Sequence, residues 1–300
     1  MITRRGFVKL VGGGFAGAVM MGGYAFGYEP MVRLDVTRYA LTPPGWTPGL
    51  KLKIVALADF HACKPWMTAD RIAEICARAN ELQGDIIVLL GDYTSGINFV
   101  TGYVEPNIWA KELAALKAPL GVHAIIGNHD WWNDPAAQKS GVGPTFSHRA
   151  LAEVGIPVYS NRSVRLEKDG KGFWLAGLED QLALRSSRRW NRQYTIGLAD
   201  LKDTMAQVDD DAPVILLAHE PDIFPEVPSR VSLTLSGHTH GGQVRILGWS
   251  PYLPSRYGDR YIYGHIVEES RHLIVSGGLG CSVAPIRFGS PPEIVVIDLG

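Results

Sequence analysis

Lys51-Leu52-Lys53-Ile54-Val55-Ala56-Leu57-Ala58-Asp59-Phe60-His61 decides the fold: an apolar run stops abruptly at a carboxylate and an imidazole two residues apart. A run with so little polar alternation reads as a strand buried on both faces. The same form recurs at residues 86–90, 122–126, 214–218 and 233–235, each closing on a polar cluster. Helical spacing lies between the runs. Ile72, Ile75, Cys76, Ala79 and Leu82 follow Thr68 as an N-cap, and Ile108, Leu113 and Leu116 suggest a second helix. Strand alternating with helix predicts an α/β fold. Further out, residues 164–166 and 173–178 flank Lys168-Asp169-Gly170-Lys171-Gly172 as a hairpin, and residues 262–268, 273–276 and 294–299 supply late strands. The expected architecture is two packed mixed β-sheets flanked by helices, a single domain over residues 51–300.

Composition narrows the function. Lys+Arg 29 against Asp+Glu 30 gives a formal charge of −1, without the basic excess that a nucleic-acid partner calls for. The three cysteines, Cys63, Cys76 and Cys281, have no metal-ligand spacing and cannot form a disulfide framework. A chain of 300 residues has interior enough to fold without staples.

Histidine placement carries the chemistry. Of the nine histidines, His61, His129, His219, His238 and His240 stand at the ends of the apolar runs. The blocks are Asp59-Phe60-His61, Gly91-Asp92, Gly127-Asn128-His129-Asp130, Ala218-His219 and Gly237-His238-Thr239-His240. Strand carboxyl ends line the ligand crevice of α/β sheets, so these separate segments should converge. In an extended segment residues i and i+2 face the same way, which lets Asp59 and His61 reach one ion together. Glycines 91, 127 and 237 are expected to let the backbone turn sharply at that edge. Carboxylate, imidazole and amide oxygen without thiolate suit Mn²⁺, iron or Zn²⁺.

In order and kind these five blocks resemble the signature of the calcineurin-like metallophosphoesterase superfamily, over residues 51–300. The resemblance implies two divalent metal ions, Mn²⁺ first with Fe²⁺/Fe³⁺ or Zn²⁺ as alternatives. Asp59, His61 and His240 would hold one, Asn128, His219 and His238 the other, with Asp92 bridging through its separate oxygens. It further implies in-line attack on phosphorus by a bridging hydroxide, His129 beside the phosphate as the catalytic group, and Asp130 holding that imidazole in its useful protonation state. The substrate expected is a phosphodiester or pyrophosphate, lipid-linked or part of the cell envelope. Residues 282–292 resemble a membrane-associated subgroup acting on compounds such as UDP-2,3-diacylglucosamine in lipid A biosynthesis. The alternative from another class is a non-catalytic envelope binding protein that keeps its metals for structure. A monomer is expected.

The start of the chain carries a separate signal. Thr3-Arg4-Arg5-Gly6-Phe7-Val8-Lys9, followed by a glycine-rich stretch to Gly27 without charge, is similar to a twin-arginine (Tat) export signal. It implies the Tat translocase as a partner and a location in the periplasm or on the outer face of the cytoplasmic membrane. Ala25-Phe26-Gly27 offers a cleavage site before Tyr28, and residues 10–27 are the alternative as an uncleaved membrane anchor. Residues 28–50, with four prolines, read as a linker contributing one edge strand near Val32–Val36. Residues 185–194, the most basic stretch after the signal, read as a solvated loop, with phosphate head groups or an anionic substrate tail as the functional alternative. Gln243 and residues 249–263 are expected as loops over the site, and Cys63 as a packed thiol.

Overall fold

The computed structural model describes residues 3–185 and 194–300. In chain order the longer strands are β1 (Asp35–Leu41), β2 (Leu52–Leu57), β3 (Ile86–Leu89), β4 (Val122–Ala124), β5 (Arg162–Lys168), β6 (Lys171–Gly177), β7 (Val214–Leu217), β8 (Val231–Ser236), β9 (Gly264–Glu268), β10 (Arg271–Val275) and β11 (Glu293–Leu299). A five-stranded sheet has the order β1-β11-β2-β3-β4, and a six-stranded sheet the order β9-β10-β8-β7-β6-β5. Each mixes parallel central pairs with antiparallel ones, β11 on β2 in the first and the hairpins β5–β6 and β9–β10 in the second. Asp169 and Gly170 turn the β5–β6 hairpin at φ 51° and 73°, as an Asp-Gly pair permits.

Alternation along each strand distributes the core into three layers. Ile54 and Ala56 of β2 join Phe173, Leu175, Ile215, Leu217 and Leu235 between the sheets. Val55 and Leu57 point the other way, onto Ile72, Ile75, Cys76 and Ala79 of a helix over Ala69–Glu81 and Trp109 of a helix over Pro106–Leu113. The first of these helices starts where Thr68 Oγ1 accepts from Arg71 N at 3.3 Å. On the far side Val214 and Leu216 of β7 lie with Phe224 and Tyr261. Each buried Ile or Leu contributes about 1.5–3 kcal/mol by leaving water, so the inter-sheet layer binds the two sheets into one domain.

The N-terminal region is built onto the domain by a helix and an edge strand. A helix over Arg4–Gly23 continues through a π-helical turn, Tyr24–Tyr28, and a single α turn, Glu29–Met31. Among the described residues no helix is long and apolar enough to cross a membrane. Ala25 is buried and its carbonyl accepts from Arg287 N at 2.9 Å, while the Phe26 carbonyl accepts from Trp66 Nε1 at 2.8 Å. Glu29 is wholly buried, accepting from Gly289 N at 3.2 Å and Ser290 N at 2.9 Å. The edge strand lies at Asp35–Leu41, later than expected, and pairs in parallel with the last strand. Trp46 and Leu50 then enter the inter-sheet core.

Candidate active site

Asp59, His61, Asp92, His238 and His240 all have left-handed backbone, with φ of 56°, 47°, 57°, 68° and 53°. That region costs a non-glycine residue energy and persists where its surroundings over-determine it. Asp59 and His61 therefore converge through consecutive sharp turns, and the strand alternation expected of an extended segment does not apply. Backbone hydrogen bonds hold the turns: Asp59 N to Gly91 O at 3.0 Å, His61 N to Asp92 O at 2.9 Å and Ala62 N to Tyr93 O at 2.8 Å. Of the three motif glycines, only Gly91 has positive φ, at 93°. Gly127 and Gly237 serve close approach instead, since a Cβ on Gly237 would stand 2.7 Å from Asp59 Oδ2 and one on Gly127 2.7 Å from His219 Cε1.

Asp130 supplies a further brace. Its carboxylate accepts from Asp92 N at 2.9 Å, Tyr93 N and Gly127 N at 3.1 Å, Thr94 N at 3.3 Å and Ser147 Oγ at 2.9 Å. Both oxygens are thereby committed to the loop after β3 and to the start of the helix at Asn128–Trp132. The expectation that Asp130 holds the His129 imidazole is thus corrected: it is a positioning residue for Asp92. His129 instead faces Ser282, with Nε2 3.4 Å from Ser282 Oγ and a buried Nδ1 without a partner.

The donors gather into groups able to hold metal. Asp59, His61 and His240 form one, and Asp92, His219 and His238 another. Asn128 Oδ1 adjoins the second, 3.2 Å from His219 Nε2 and 2.9 Å from His238 Nδ1. Asp92 stands between them, but through one oxygen: Oδ2 lies 3.4 Å from His61 Nε2 and 3.3 Å from His219 Nε2, whereas Oδ1 accepts from His129 N at 2.8 Å. Of the two oxygens expected to serve separate ions, Oδ2 alone faces both histidines, and Oδ1 is engaged by the His129 backbone. Thr94 O and Leu90 O take the Nδ1 protons of His61 and His219, at 3.0 and 2.7 Å, aiming each Nε2 lone pair inward.

Burial sets the charge states. It pushes the Asp59 carboxyl up to about 7, and lowers the imidazoles of His61, His238 and His240, and that of His129 to about 3. Neutral imidazole is the ligating form. Desolvation opposes the charge on Asp92 too, yet the neighbouring His219, whose own proton the Asp92 carboxylate holds, keeps it well below the usual carboxylate range. Oxygen and imidazole donors crowded together without thiolate fit hard or borderline divalent cations.

Sequence reasoning missed several residues here. Arg287, fully buried, donates to Gly277 O at 2.9 Å, Ser290 O at 2.7 Å and His240 Nδ1 at 3.1 Å. Asp180 and Glu220 form a third acid-rich group with His219, and Asp180 Oδ2 and Glu220 Oε1 are buried without hydrogen-bond partners. Asp180 follows an apolar strand and Glu220 follows His219, which is the signal that could have found them. The groups open into a cavity of about 750 Å³ walled by Trp132, Arg185, Tyr252, Val283 and Ile286. Residues 186–193 of the basic stretch lie outside the described residues.

Residues 52–242 match the family model described as calcineurin-like phosphoesterase. An uncharacterized metallophosphoesterase of Bacillus subtilis, YkuE, is 30% identical over 99% of this chain and 98% of its own length. An uncharacterized metallophosphoesterase of Aquifex aeolicus is 30% identical over 94% of this chain and 97% of its own. Phosphodiesterase YaeI of Escherichia coli is 28% identical, covering 82% of each.

Proposed function

This chain belongs to the calcineurin-like phosphoesterase family and is a hydrolase of phosphoesters, and from that premise we propose that it cleaves a phosphodiester or pyrophosphate bearing a lipid portion. Asp59, His61 and His240 would hold one divalent cation, Asn128, His219 and His238 the second, with Asp92 Oδ2 facing both. Mn²⁺ is the metal we assign first. Two such cations supply Lewis-acid polarisation of phosphoryl oxygens and a nucleophile at neutral pH. The observation that carries the reading is that His129 gathers with His61 and Asp92, one from each donor group, and lines the same cavity.

The protein's own part is positioning and charge. Kept neutral by burial, His129 stabilises the leaving oxygen by hydrogen-bond donation. Asp92 Oδ1 holds the His129 backbone at 2.8 Å, coupling the catalytic group to the residue between the metals. Val283 and Ile286 give the cavity an apolar wall suited to an acyl or isoprenoid part, and YaeI's name supports a diester preference. Thr3-Arg4-Arg5 and the uncharged stretch after it support Tat export to the outer face of the membrane.

The test is hydrolysis of an aryl phosphodiester and its monoester by metal-stripped protein resupplied with Mn²⁺, beside His129→Ala. Metal-dependent turnover, faster on the diester and reduced about 10²–10⁴-fold in the variant, is expected. No turnover in protein that holds both metals would favour the envelope binding protein instead.

A further inference from the structure

Two arginines line the cavity, and they differ in how their charge is used. Arg256 is spoken for, its guanidinium 4.0 Å from Asp222 Oδ2 and 3.5 Å from Glu226 Oε1. Arg185 has no carboxylate partner among the described residues, and its guanidinium carbon lies 4.0 Å over the Trp132 ring. That ring is itself fixed, Nε1 donating to Leu182 O at 2.8 Å, and its centroid is 5.2 Å from that of His129. Arg185's backbone is pinned as well, its N–H donating to Gln138 Oε1 at 2.9 Å within the short pair Leu184–Arg185 and Thr195–Ile196. A stacked guanidinium keeps its in-plane N–H fork free, and that fork matches the oxygens of a phosphate.

We propose that Arg185, laid on Trp132 beside His129, forms an accessory anion subsite, and that the substrate carries a second phosphoryl group next to the one attacked. The proposal rests on the phosphoesterase reading and narrows it from a phosphodiester or pyrophosphate to the pyrophosphate, with Arg185 as the residue that selects it. Trp132 sets the distance: it spaces the cation one ring from the catalytic imidazole, so the subsite meets the neighbouring phosphate and leaves the attacked one to the metal groups. The apolar wall at Val283 and Ile286 remains for the rest of the molecule.

The experiment measures binding of AMP and of α,β-methylene-ADP to the full chain loaded with Mn²⁺, by calorimetry, in the wild type, Arg185→Gln and Arg185→Lys. The wild type should prefer the two-phosphate ligand by about tenfold, the worth of one charge-assisted bidentate contact. Arg185→Gln should remove that preference, and Arg185→Lys, which keeps the charge and loses the fork, should restore only part of it. A preference unchanged in Arg185→Gln overturns the subsite, as does equal weakening of both ligands, which marks a structural role. Turnover of bis(p-nitrophenyl) phosphate by the wild type is measured alongside: failure of the phosphoesterase reading appears there, failure of the subsite in the affinity ratio.

Discussion

The loops that carry the metal-binding candidates and the loops that frame the cavity mouth are built in opposite ways. Asp59 and His61 are 0% exposed, and partners from other segments hold their turns and aim their side chains. In the loop between Val244 and Pro251, both of which line the cavity, Leu247 is fully exposed and Ile246 and Trp249 more than half so, as is the neighbouring Tyr252; Val244 and Arg245 anchor the loop on Phe288, and its tip closes on a local Ile246–Trp249 bridge. Left-handed backbone occurs in both, at Leu247 and Val283 as at Asp59, but in the inner loops partners from other segments pin it and fix the atoms that chemistry needs. Outer loops keep apolar side chains in water, which costs little and leaves them free to meet a substrate.

Breaking the inner set should have the largest effect. Asp92→Asn removes the charge that faces both histidine groups, and turnover should fall to background with a loss of metal in equilibrium dialysis. His129→Ala should lower kcat by about 10²–10⁴-fold with metal content retained, which separates catalysis from binding within the same loops. Asp130→Asn sharpens the contrast further. Without a second carboxylate oxygen, some of the five donors lose their acceptor, and urea unfolding should show a loss of about 3 kcal/mol.

The N-terminal turn belongs with the inner set by its burial, although it precedes the domain in sequence. Glu29→Gln should cost about 1–2 kcal/mol in the same unfolding measurement, because one oxygen that accepts from Gly289 N or Ser290 N is replaced by a donor. At the mouth, Leu247→Ser and Trp249→Ser should change stability by less than about 0.5 kcal/mol. Turnover of a small aryl diester should survive these two changes while the KM for a lipid-bearing ester rises. Equal loss for both esters would place the mouth among the catalytic loops and erase the comparison.

Much of this was readable beforehand, for a physical reason. Strands buried on both faces must be apolar throughout, so β2, β3 and β7 announce themselves, and the polar residue that ends each run announces the crevice. His129 was found that way, and so was each member of the two donor groups. What Asp130 does was not readable, because Asp130 is adjacent to His129 in sequence while its carboxylate reaches Asp92 N, 38 residues back. Arg287 was hidden for the same reason: its partners His240 and Gly277 lie in other loops. The edge strand expected within residues 28–50 lies a few residues later than the alternation suggested, because prolines and a short alternation look alike in a tether and in a strand. Only pairing with the chain's last strand distinguishes them.

The sequence by itself determined the two-sheet α/β order, the five blocks and the kinds of donor they bring, because periodicity and residue type are local properties. Tertiary structure alone decided which oxygen of Asp92 faces both groups, that Asp130 braces backbone and leaves the imidazole to Ser282, and that residues 24–31 lock onto the loop at 287–290. Those outcomes depend on which unpaired backbone N–H or carbonyl is nearest once the sheets have closed, and that geometry exists only in the folded chain.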